Sequence, residues 1–341
     1  MGKYRKSTVR SAALLFTSAL LLGGCGAEVA SESSGDVPER FPVTLTNCER
    51  EHTYETPPER VVTNDIAITE IMFALGLEDR MAGYFLSDGQ RRGAASSPWK
   101  KQFEQVTHLS EEMGMEQIRK ADADMVFAGW NYGFGESERL TPKRLRSEGI
   151  ESYVLSESCR VDGTDKRGIM PPLEALYTDI RNLGELFGVP ERAEKLVSEY
   201  KSTIERAGPD SAEEERPTVF LYDSGQSEPF TSGNGGAADQ IINKAGGRNV
   251  FADLDDSWVS VSWETVLRAD PDVILINDYG SKSVRDKTDF LRGHPALSQL
   301  EAVRRERFID LPYAALVEGP RNPSAVRELA EFLESVPTSN G

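Results

Sequence analysis

The sequence predicts an α/β protein with two lobes, each built on a parallel-type sheet. Three observations indicate this fold class. Short apolar strands alternate with amphipathic helices, one segment recurs once at long range, and two long helical segments stand between the copies. Strands that alternate with helices favour parallel sheets covered by helices. The 341 residues are enough for two domains of ordinary size.

One segment of the sequence occurs twice. Residues 115–128 (MEQIRKADADMVFA) align without gaps with residues 263–276 (WETVLRADPDVILI). Each copy is typical of a short helix, an Ala-Asp-x-Asp turn and a buried strand. A repeat at so long an offset indicates two similar lobes and not a solenoid of short units.

The elements of each lobe can be placed in chain order. In the first lobe the predicted strands are RVVTND, MAGYFL, DMVFAGW and SYVLSES, with helices at ITEIMFALG and TPKRLRSEG. The last helix carries its own end signals, because Thr141 suits the N-cap, Pro142 the first turn and Gly149 the stop. In the second lobe the strands are PTVFLYDS, DVILIND and RFIDLP, and the helices are AADQIINKA, SWETVLRA and NPSAVRELAEFLESV.

Two strongly helical segments separate the lobes, PPLEALYTDIRNLGELFG and VPERAEKLVSEYKSTIERAG. About eighteen helical residues span roughly 27 Å, enough to connect two small lobes. We therefore expect two Rossmann-like lobes joined by a long rigid inter-lobe helix. The predicted segments are a lipoprotein signal peptide (1–24), a flexible tether (25–42), an N-terminal lobe (43–168), linking helices (169–208) and a C-terminal lobe (209–341).

The N-terminus is typical of a secreted protein. Basic residues precede the apolar run AALLFTSALLL, which is too short to span a membrane, and LGGC ends at Cys25. That tetrad resembles the bacterial lipobox, in which the cysteine becomes lipid-modified. We expect an extracytoplasmic protein, lipid-anchored through Cys25 to the outer face of the bacterial cytoplasmic membrane. The alternative is an ordinary signal peptide with a chance cysteine.

Charge and cysteine content narrow the function. Removal of four N-terminal cations from the formal charge of −17 leaves −21 on the mature chain. A nucleic-acid partner would require a basic face, so this charge argues against one. Two further cysteines, Cys48 and Cys159, would lie in an oxidising compartment. There they form either a disulfide or two free thiols.

A glycine-rich stretch raises the possibility of a dinucleotide site. In PFTSGNGGAADQIINKAGGRNVFAD, Gly233, Gly235 and Ala238 spell G-x-G-x-x-A. A dinucleotide fingerprint needs its first glycine at the end of a strand, whereas the predicted strand here ends near Asp223. The glycines are better explained as a loop that leads into a helix.

The same stretch carries a family resemblance. PFTSGNGGAADQIINKAGGRNVFAD followed by VSWETVLRADPDVILI resembles the C-terminal lobe of periplasmic-type binding proteins for ferric siderophores and cobalamin. PPERVVTNDIAITEIMFALGLEDRMAGY and MEQIRKADADMVFAG resemble their N-terminal lobe, so the resemblance covers about residues 43–335. It implies a substrate-binding lipoprotein of an ABC transporter, a monomer that holds its ligand between two lobes with little movement.

The resemblance implies roles for particular residues. Glu116 and Glu264, at equivalent repeat positions, would dock onto the membrane permease; the simpler interpretation is a favourable charge at each helix start. Cys48 and Cys159 match a pair in the actinobacterial siderophore-binding lipoproteins. Loops after strands would present aromatic residues to a bulky ligand, although each is as well explained by core packing. These candidates are Tyr84, Trp130, Tyr132, Trp258, Tyr279 and Tyr313.

Two arginines, Arg160 and Arg321, are candidate partners for ligand oxygens, or else solvated surface cations. Arg91 and Arg92 lie in a loop, LSDGQRRGAASSPW, whose path the sequence does not fix. The strong negative charge favours a neutral or cationic hydroxamate complex over an anionic catecholate, whereas the two candidate arginines favour the catecholate.

We expect no cofactor, no direct metal site and no catalysis. The three histidines are scattered, and no nucleophile elbow or H-E-x-x-H motif occurs. The expected ligand is a ferric siderophore whose iron is bound through the chelator, and cobalamin is the main alternative. Haem would need only one tyrosine or histidine ligand. An enzyme on the same scaffold and a surface protein without ligand are the alternatives from other classes.

Overall fold

The computed structural model describes residues 40–137, 139–160, 169–209 and 215–336. The predicted signal peptide, Cys25 and most of the tether lie outside these residues. So do short stretches at the end of the first lobe, before the second lobe and at the C-terminus. Among the described residues, no helix is long and apolar enough to cross a membrane.

The N-terminal lobe is a parallel sheet preceded by an antiparallel hairpin. The sheet order is β5-β4-β3-β6-β7, and β8 also pairs with β6. The hairpin β1–β2 was not expected from the sequence. The elements are β1 (Val43–Asn47), β2 (Arg50–Tyr54), β3 (Val61–Asn64), α1 (Ile66–Ala74), β4 (Met81–Phe85), α2 (Asp88–Ala95), α3 (Lys100–Gln105), β5 (His108–Ser110), α4 (Met115–Lys120), β6 (Met125–Trp130), β7 (Gly133–Phe134), α5 (Pro142–Ser147) and β8 (Glu151–Val154).

The C-terminal lobe repeats this plan on a smaller sheet. Its four parallel strands follow the order β11-β9-β13-β14, and β10 and β12 form a short antiparallel pair. The elements are β9 (Thr218–Tyr222), β10 (Phe230–Thr231), α8 (Ala237–Lys244), β11 (Arg248–Asn249), β12 (Val259–Ser260), α9 (Trp263–Ala269), β13 (Val273–Asp278), α10 (Val284–Gly293), α11 (Glu301–Arg304), β14 (Phe308–Pro312), α12 (Tyr313–Leu316) and α13 (Asn322–Leu333).

Two helices connect the lobes, α6 (Pro172–Phe187) and α7 (Pro190–Ala207). Gly188, at φ 71°, ends α6 in the left-handed conformation that glycine adopts without a steric penalty. α6 contacts both lobes, because Tyr153 Oη donates to Asp179 while the backbone N–H of Leu173 donates to the Gln240 side chain. The two helical segments between the lobes thus form a pair of helices.

The repeat detected in the sequence is also a structural repeat. Asp122 and Asp270, the first aspartates of the two turns, both have positive φ, 51° and 40°. The second aspartates, Asp124 and Asp272, each accept backbone N–H groups at the start of the first sheet strand of their own lobe, at 2.7 and 2.8 Å. Each copy thus ties a helix–strand turn to the neighbouring strand.

Buried polar contacts join the lobes directly. Arg321 Nε lies 2.7 Å from Glu70 Oε2, and the Glu157 backbone N–H donates to Glu318 Oε2 at 2.8 Å. An apolar core also runs from the first sheet through α6 and α7 into the second sheet. These contacts fix the lobes side by side, with the carboxyl ends of both sheets facing one cleft.

The hairpin is held to the lobe covalently. In the structure Cys48, in the β1–β2 turn, is joined to Cys159, which follows β8, with Cα atoms 5.2 Å apart. The side chain of Asn47 adds two hydrogen bonds to the backbone of Val154, of 2.8 and 2.9 Å. The N-terminal hairpin is thereby part of the first lobe.

Candidate functional site

A cavity of about 320 Å³ lies between the lobes at the carboxyl ends of the strands. Strand ends of parallel sheets are where open α/β folds place their ligands. Five of its lining residues are aromatic: Tyr132, Phe230, Trp258, Tyr279 and Tyr313. We call this cavity the cleft.

The aromatic residues of the cleft form two stacked pairs. The rings of Phe230 and Trp258 lie 5.7 Å apart, and those of Tyr279 and Tyr313 lie 4.4 Å apart. Each pair is nearly parallel, at 19° and 26° between ring planes. Such walls offer flat, partly apolar surfaces to a bulky ligand.

Asp65 is the main polar group on the N-terminal side. Its φ of 85° is uncommon for a non-glycine residue. Asp65 is the N-cap of α1, and its carboxylate accepts the Ala67 N–H at 2.8 Å. Gln90 Nε2 and Tyr313 Oη donate to the same carboxylate, at 2.5 and 2.8 Å. Burial raises the pKa of Asp65 to about 6, although these hydrogen bonds oppose the rise. Tyr313 comes from the other lobe, so Asp65 also joins the two walls.

On the C-terminal side, Asp223 belongs to a buried network that supports Tyr279. Asp223 accepts from Asn277 Nδ2 at 2.6 Å, and Lys287 Nζ donates to the backbone carbonyls of Asn277 and Tyr279 at 2.6 and 3.0 Å. Burial lowers the pKa of Lys287, while the nearby Asp223 raises it. Lys287 thus fixes the chain where β13 ends. No local pattern indicates this role, because VRDKTDFL is typical of an exposed amphipathic helix.

The structure brings four of the eight predicted ligand residues into the cleft, namely Tyr132, Trp258, Tyr279 and Tyr313. Tyr84 does not line the cleft, so its prediction as a ligand-binding residue was wrong. It lies within β4, only 6% exposed, and its hydroxyl donates to the Phe103 carbonyl at 3.0 Å. A residue inside a strand points into the core, whereas a residue after the strand can face the cleft.

The remaining three candidates lie elsewhere. The Arg160 guanidinium packs over the Trp130 ring, 4.2 Å from its centroid, and neither residue lines the cleft. Arg321 is 5% exposed and paired with Glu70, so it is not the solvated cation that the sequence allowed. Its side chain borders a second cavity next to the cleft.

Glu116 and Glu264 occupy matching positions. Both are exposed and lie in the first turn of their helices, α4 and α9. Each helix runs antiparallel to the parallel strand that follows it in the chain. Its first turn therefore lies at the edge of the sheet where the strands end. The two carboxylates therefore stand on the same side of the molecule as the cleft.

The described residues contain no group of three or more His, Cys, Asp or Glu side chains placed to hold a metal ion. Asp65 and Asp223 are both engaged by neutral hydrogen-bond donors.

Known proteins resemble this chain over nearly its whole length. An uncharacterised ABC transporter substrate-binding lipoprotein of Bacillus subtilis is 26% identical over 329 residues, 94% of this chain and 95% of its own. A vitamin B12-binding protein of Salmonella paratyphi A is 30% identical over 222 residues, 64% of this chain and 71% of its own. A solved periplasmic binding protein of Veillonella parvula, 26% identical, superposes with a TM-score of 0.70 over 87% of this chain and 98% of its own.

The family model described as periplasmic binding protein matches residues 61–315, from β3 to α12. That range includes both sheets, the two connecting helices and all the residues that line the cleft. Members of the family bind solutes and are not enzymes. This chain belongs to the periplasmic binding protein family.

Proposed function

We propose that this protein captures a ferric siderophore in the cleft and delivers it to the permease of an ABC importer for iron uptake. The family and the full-length relative from Bacillus subtilis support the general role, a substrate-binding protein of an ABC transporter that works outside the cytoplasm. Anchoring through a lipid on Cys25 is part of the proposal.

The residues that line the cleft favour one class of ligand. Among the described residues that line it, five are aromatic, two are the carboxylates Asp65 and Asp223, and none is lysine or arginine. A triply anionic catecholate complex would meet these carboxylates without a compensating cation. A neutral or cationic ferric hydroxamate would meet aromatic faces and hydrogen-bonding groups. The hydroxamate class is therefore favoured, and the engagement of Arg321 by Glu70 weakens the case for a catecholate.

Cobalamin is the second candidate. The vitamin B12-binding relative and the two stacked aromatic pairs both favour it, because a corrin ring presents a large flat face. Haem is the third, since a single tyrosine can ligate its iron. In the structure the Tyr313 hydroxyl donates to Asp65, so haem ligation there would require that hydrogen bond to break.

Ligand binding is measured by tryptophan fluorescence of the detergent-solubilised full chain. The ligands are a ferric trihydroxamate, a ferric triscatecholate, haem and cobalamin, each titrated beside the iron-free chelators. Trp258 lines the cleft, so a bound chromophore quenches its emission, and a Trp258→Phe variant identifies the reporter. Saturable quenching by the ferric hydroxamate alone supports the proposal. Quenching by cobalamin or haem alone replaces it with that candidate, and no quenching by any ligand contradicts it.

We further propose that Glu116 and Glu264 dock onto the permease. Their exposure, their equivalent repeat positions and their place beside the cleft support this role. Stimulation of permease ATPase activity by the ligand-loaded protein should fall in the double variant E116Q/E264Q. Glu191→Gln is the matched control, because it removes an exposed first-turn carboxylate from α7. Equal stimulation by all three proteins would contradict the docking role.

A further inference from the structure

A second cavity, of about 380 Å³, adjoins the cleft. The two cavities share Gln90, Tyr279 and Tyr313, so the stacked tyrosines form part of the wall between them. The second cavity lies between α2 of the first lobe and the loop that joins β13 to α10 in the second. The function proposed above makes no use of it. We call it the side chamber.

The side chamber differs from the cleft in its charged groups. Whereas the cleft is lined by two carboxylates and, among the described residues, by no cation, the side chamber is lined by Arg92, Lys282 and Arg321. Asp278 and Asp286 line it as well. The two adjoining cavities therefore suit different parts of a molecule.

Two of these charges are already engaged within the protein. Arg321 is held by Glu70. The Asp286 carboxylate accepts from the backbone N–H and hydroxyl of Ser283, at 3.0 and 2.7 Å, which caps α10. These neutral donors leave Asp286 charged, so the exposed charges that can act on a ligand are Arg92 and Lys282 against Asp278 and Asp286.

Arg92 is well placed to act on a ligand. One of its terminal nitrogens donates to the carbonyl of Gly280, so the side chain reaches from α2 to the opposite lobe. A guanidinium has five N–H donors in a planar fork, and a single carbonyl leaves most of them available. Arginine binds a carboxylate through paired, charge-assisted hydrogen bonds, and Lys282 adds a second positive charge.

We infer that the side chamber binds a carboxylate-bearing arm of the ligand whose iron-chelating core lies in the cleft. The inference rests on the proposed function, because it assigns an extension of that ligand. It specifies the substrate class as a ferric hydroxamate with a pendant carboxylate.

Three chelates that differ only in the arm test this assignment. The ferric complex of desferrioxamine B carries a pendant amine, its N-acetyl derivative a neutral amide, and its N-succinyl derivative a carboxylate. We expect the full chain to bind the succinyl complex about tenfold more tightly than the acetyl complex, as one charge-assisted contact allows. Tighter binding of the amine complex than of the succinyl complex would overturn the inference, because the arm would then be held by Asp278 and Asp286. Affinities are measured by tryptophan quenching and by calorimetry.

Substitutions in the side chamber test which residues cause the difference in affinity among the complexes. In R92Q/K282Q the roughly tenfold preference for the succinyl complex over the acetyl complex should be lost, because both cations are removed while Asp278 and Asp286 remain. Arg91→Gln is the matched control, because Arg91 is exposed on the same helix, lies 3.4 Å from Asp88 and does not line the chamber. Lys282→Gln alone, at an exposed loop position, serves if the double variant does not fold.

The outcomes separate the two proposals. Equal binding of the three complexes by the unaltered protein overturns the side-chamber inference and leaves the proposed function standing. A preference for the succinyl over the acetyl complex that survives in R92Q/K282Q also overturns it, because the carboxylate would then bind elsewhere. Binding of none of the complexes contradicts the hydroxamate function itself, and with it the inference.

Discussion

Glu70 and Arg321 form a buried salt bridge across the two lobes. Glu70 lies on α1 and is 0% exposed, while Arg321 precedes α13 and is 5% exposed. Burial raises the pKa of Glu70, and the adjacent guanidinium opposes that rise. Ser97 Oγ donates to the same carboxylate at 2.6 Å. The pair is therefore a structural tie between the lobes and not a free cation for the ligand.

Removal of one partner should destabilise the protein strongly. Arg321→Met leaves the Glu70 carboxylate buried without its cation, a change that typically costs about 3–5 kcal/mol. We expect a loss of this size in the free energy of unfolding, measured by urea denaturation. The double variant E70M/R321M should recover much of it, because no uncompensated charge remains. Arg327→Met, at an exposed pair on the same helix, should cost under about 1 kcal/mol, and an equal loss there would contradict the argument.

Substitutions should distinguish Tyr279, which lines the cleft, from Tyr84, which is buried in the core. The sequence predicted the same role for both. Tyr279→Ala removes half of a stacked pair in the cleft and should weaken binding of a ferric trihydroxamate by about tenfold. Tyr84→Phe removes only a buried hydrogen bond to Phe103. It should leave affinity unchanged and cost about 1 kcal/mol of stability. Calorimetry and urea denaturation give both quantities, and reduced affinity in Tyr84→Phe would place that residue back in the site.

Stability should fall as pH rises because of a buried pair of carboxyl groups. Asp179 on α6 and Glu318 after α12 are both fully buried, and burial and their mutual proximity raise the pKa of both, that of Asp179 to about 6. The folded state therefore holds protons that the unfolded chain releases near pH 4. This contribution to stability is present below about pH 4 and is lost as pH rises through 6.

The free energy of unfolding should therefore decrease between about pH 4 and pH 6, by at most about 1.4 kcal/mol per pH unit for each such group. Asp65, with a pKa raised to about 6 by burial, adds to the same trend. Glu318→Gln keeps a donor for Asp179 but removes one titrating group. The free energy of unfolding should then fall less steeply as pH rises. Asp289→Asn, at an exposed position on α10, should leave it unchanged. A decrease of equal steepness in E318Q would show that the pair is not responsible.

Loss of the Cys48–Cys159 disulfide should lower stability substantially. The two residues are separated by 111 positions, and closing a loop of that length stabilises a protein by up to about 4–5 kcal/mol in the chain-entropy model. The C48S/C159S variant should unfold at lower urea concentration, by an amount similar to the effect of a reductant on the natural chain. A reductant should have no further effect on the variant. If it changes neither protein, the cysteines do not form this bond in solution.

Much of the fold could be predicted from the sequence because local patterns and tertiary structure agree. The strands are short buried runs, and the Thr141 cap, whose hydroxyl accepts the Arg144 N–H at 3.2 Å, is a local signal. The paired aspartates of the repeat likewise mark turns that need positive φ. Four cleft residues were found for the same reason, since each follows the end of a strand or lies in a loop beside one.

The rest depends on contacts that sequence spacing does not encode. LSDGQRRGAASSPW has no apolar periodicity, yet part of it folds as α2 against the cleft, where Gln90 binds Asp65. Glu70 and Arg321 are 251 positions apart, so their pairing follows only from the packing of one lobe on the other. Lys287 resembles a surface lysine until β13 and α10 bring two backbone carbonyls to it.

The hydrogen bond from Tyr313 to Asp65 crosses the cleft and joins its two walls. Opening the cleft would break this bond and the buried Glu70–Arg321 pair, so the ligand enters a preformed site. Little chain entropy is then lost on binding, and the association rate is set by diffusion into the mouth of the cleft. In the proposed docking of a permease on this face, the ligand at the cleft mouth would mark the loaded protein, because these ties hold the angle between the lobes.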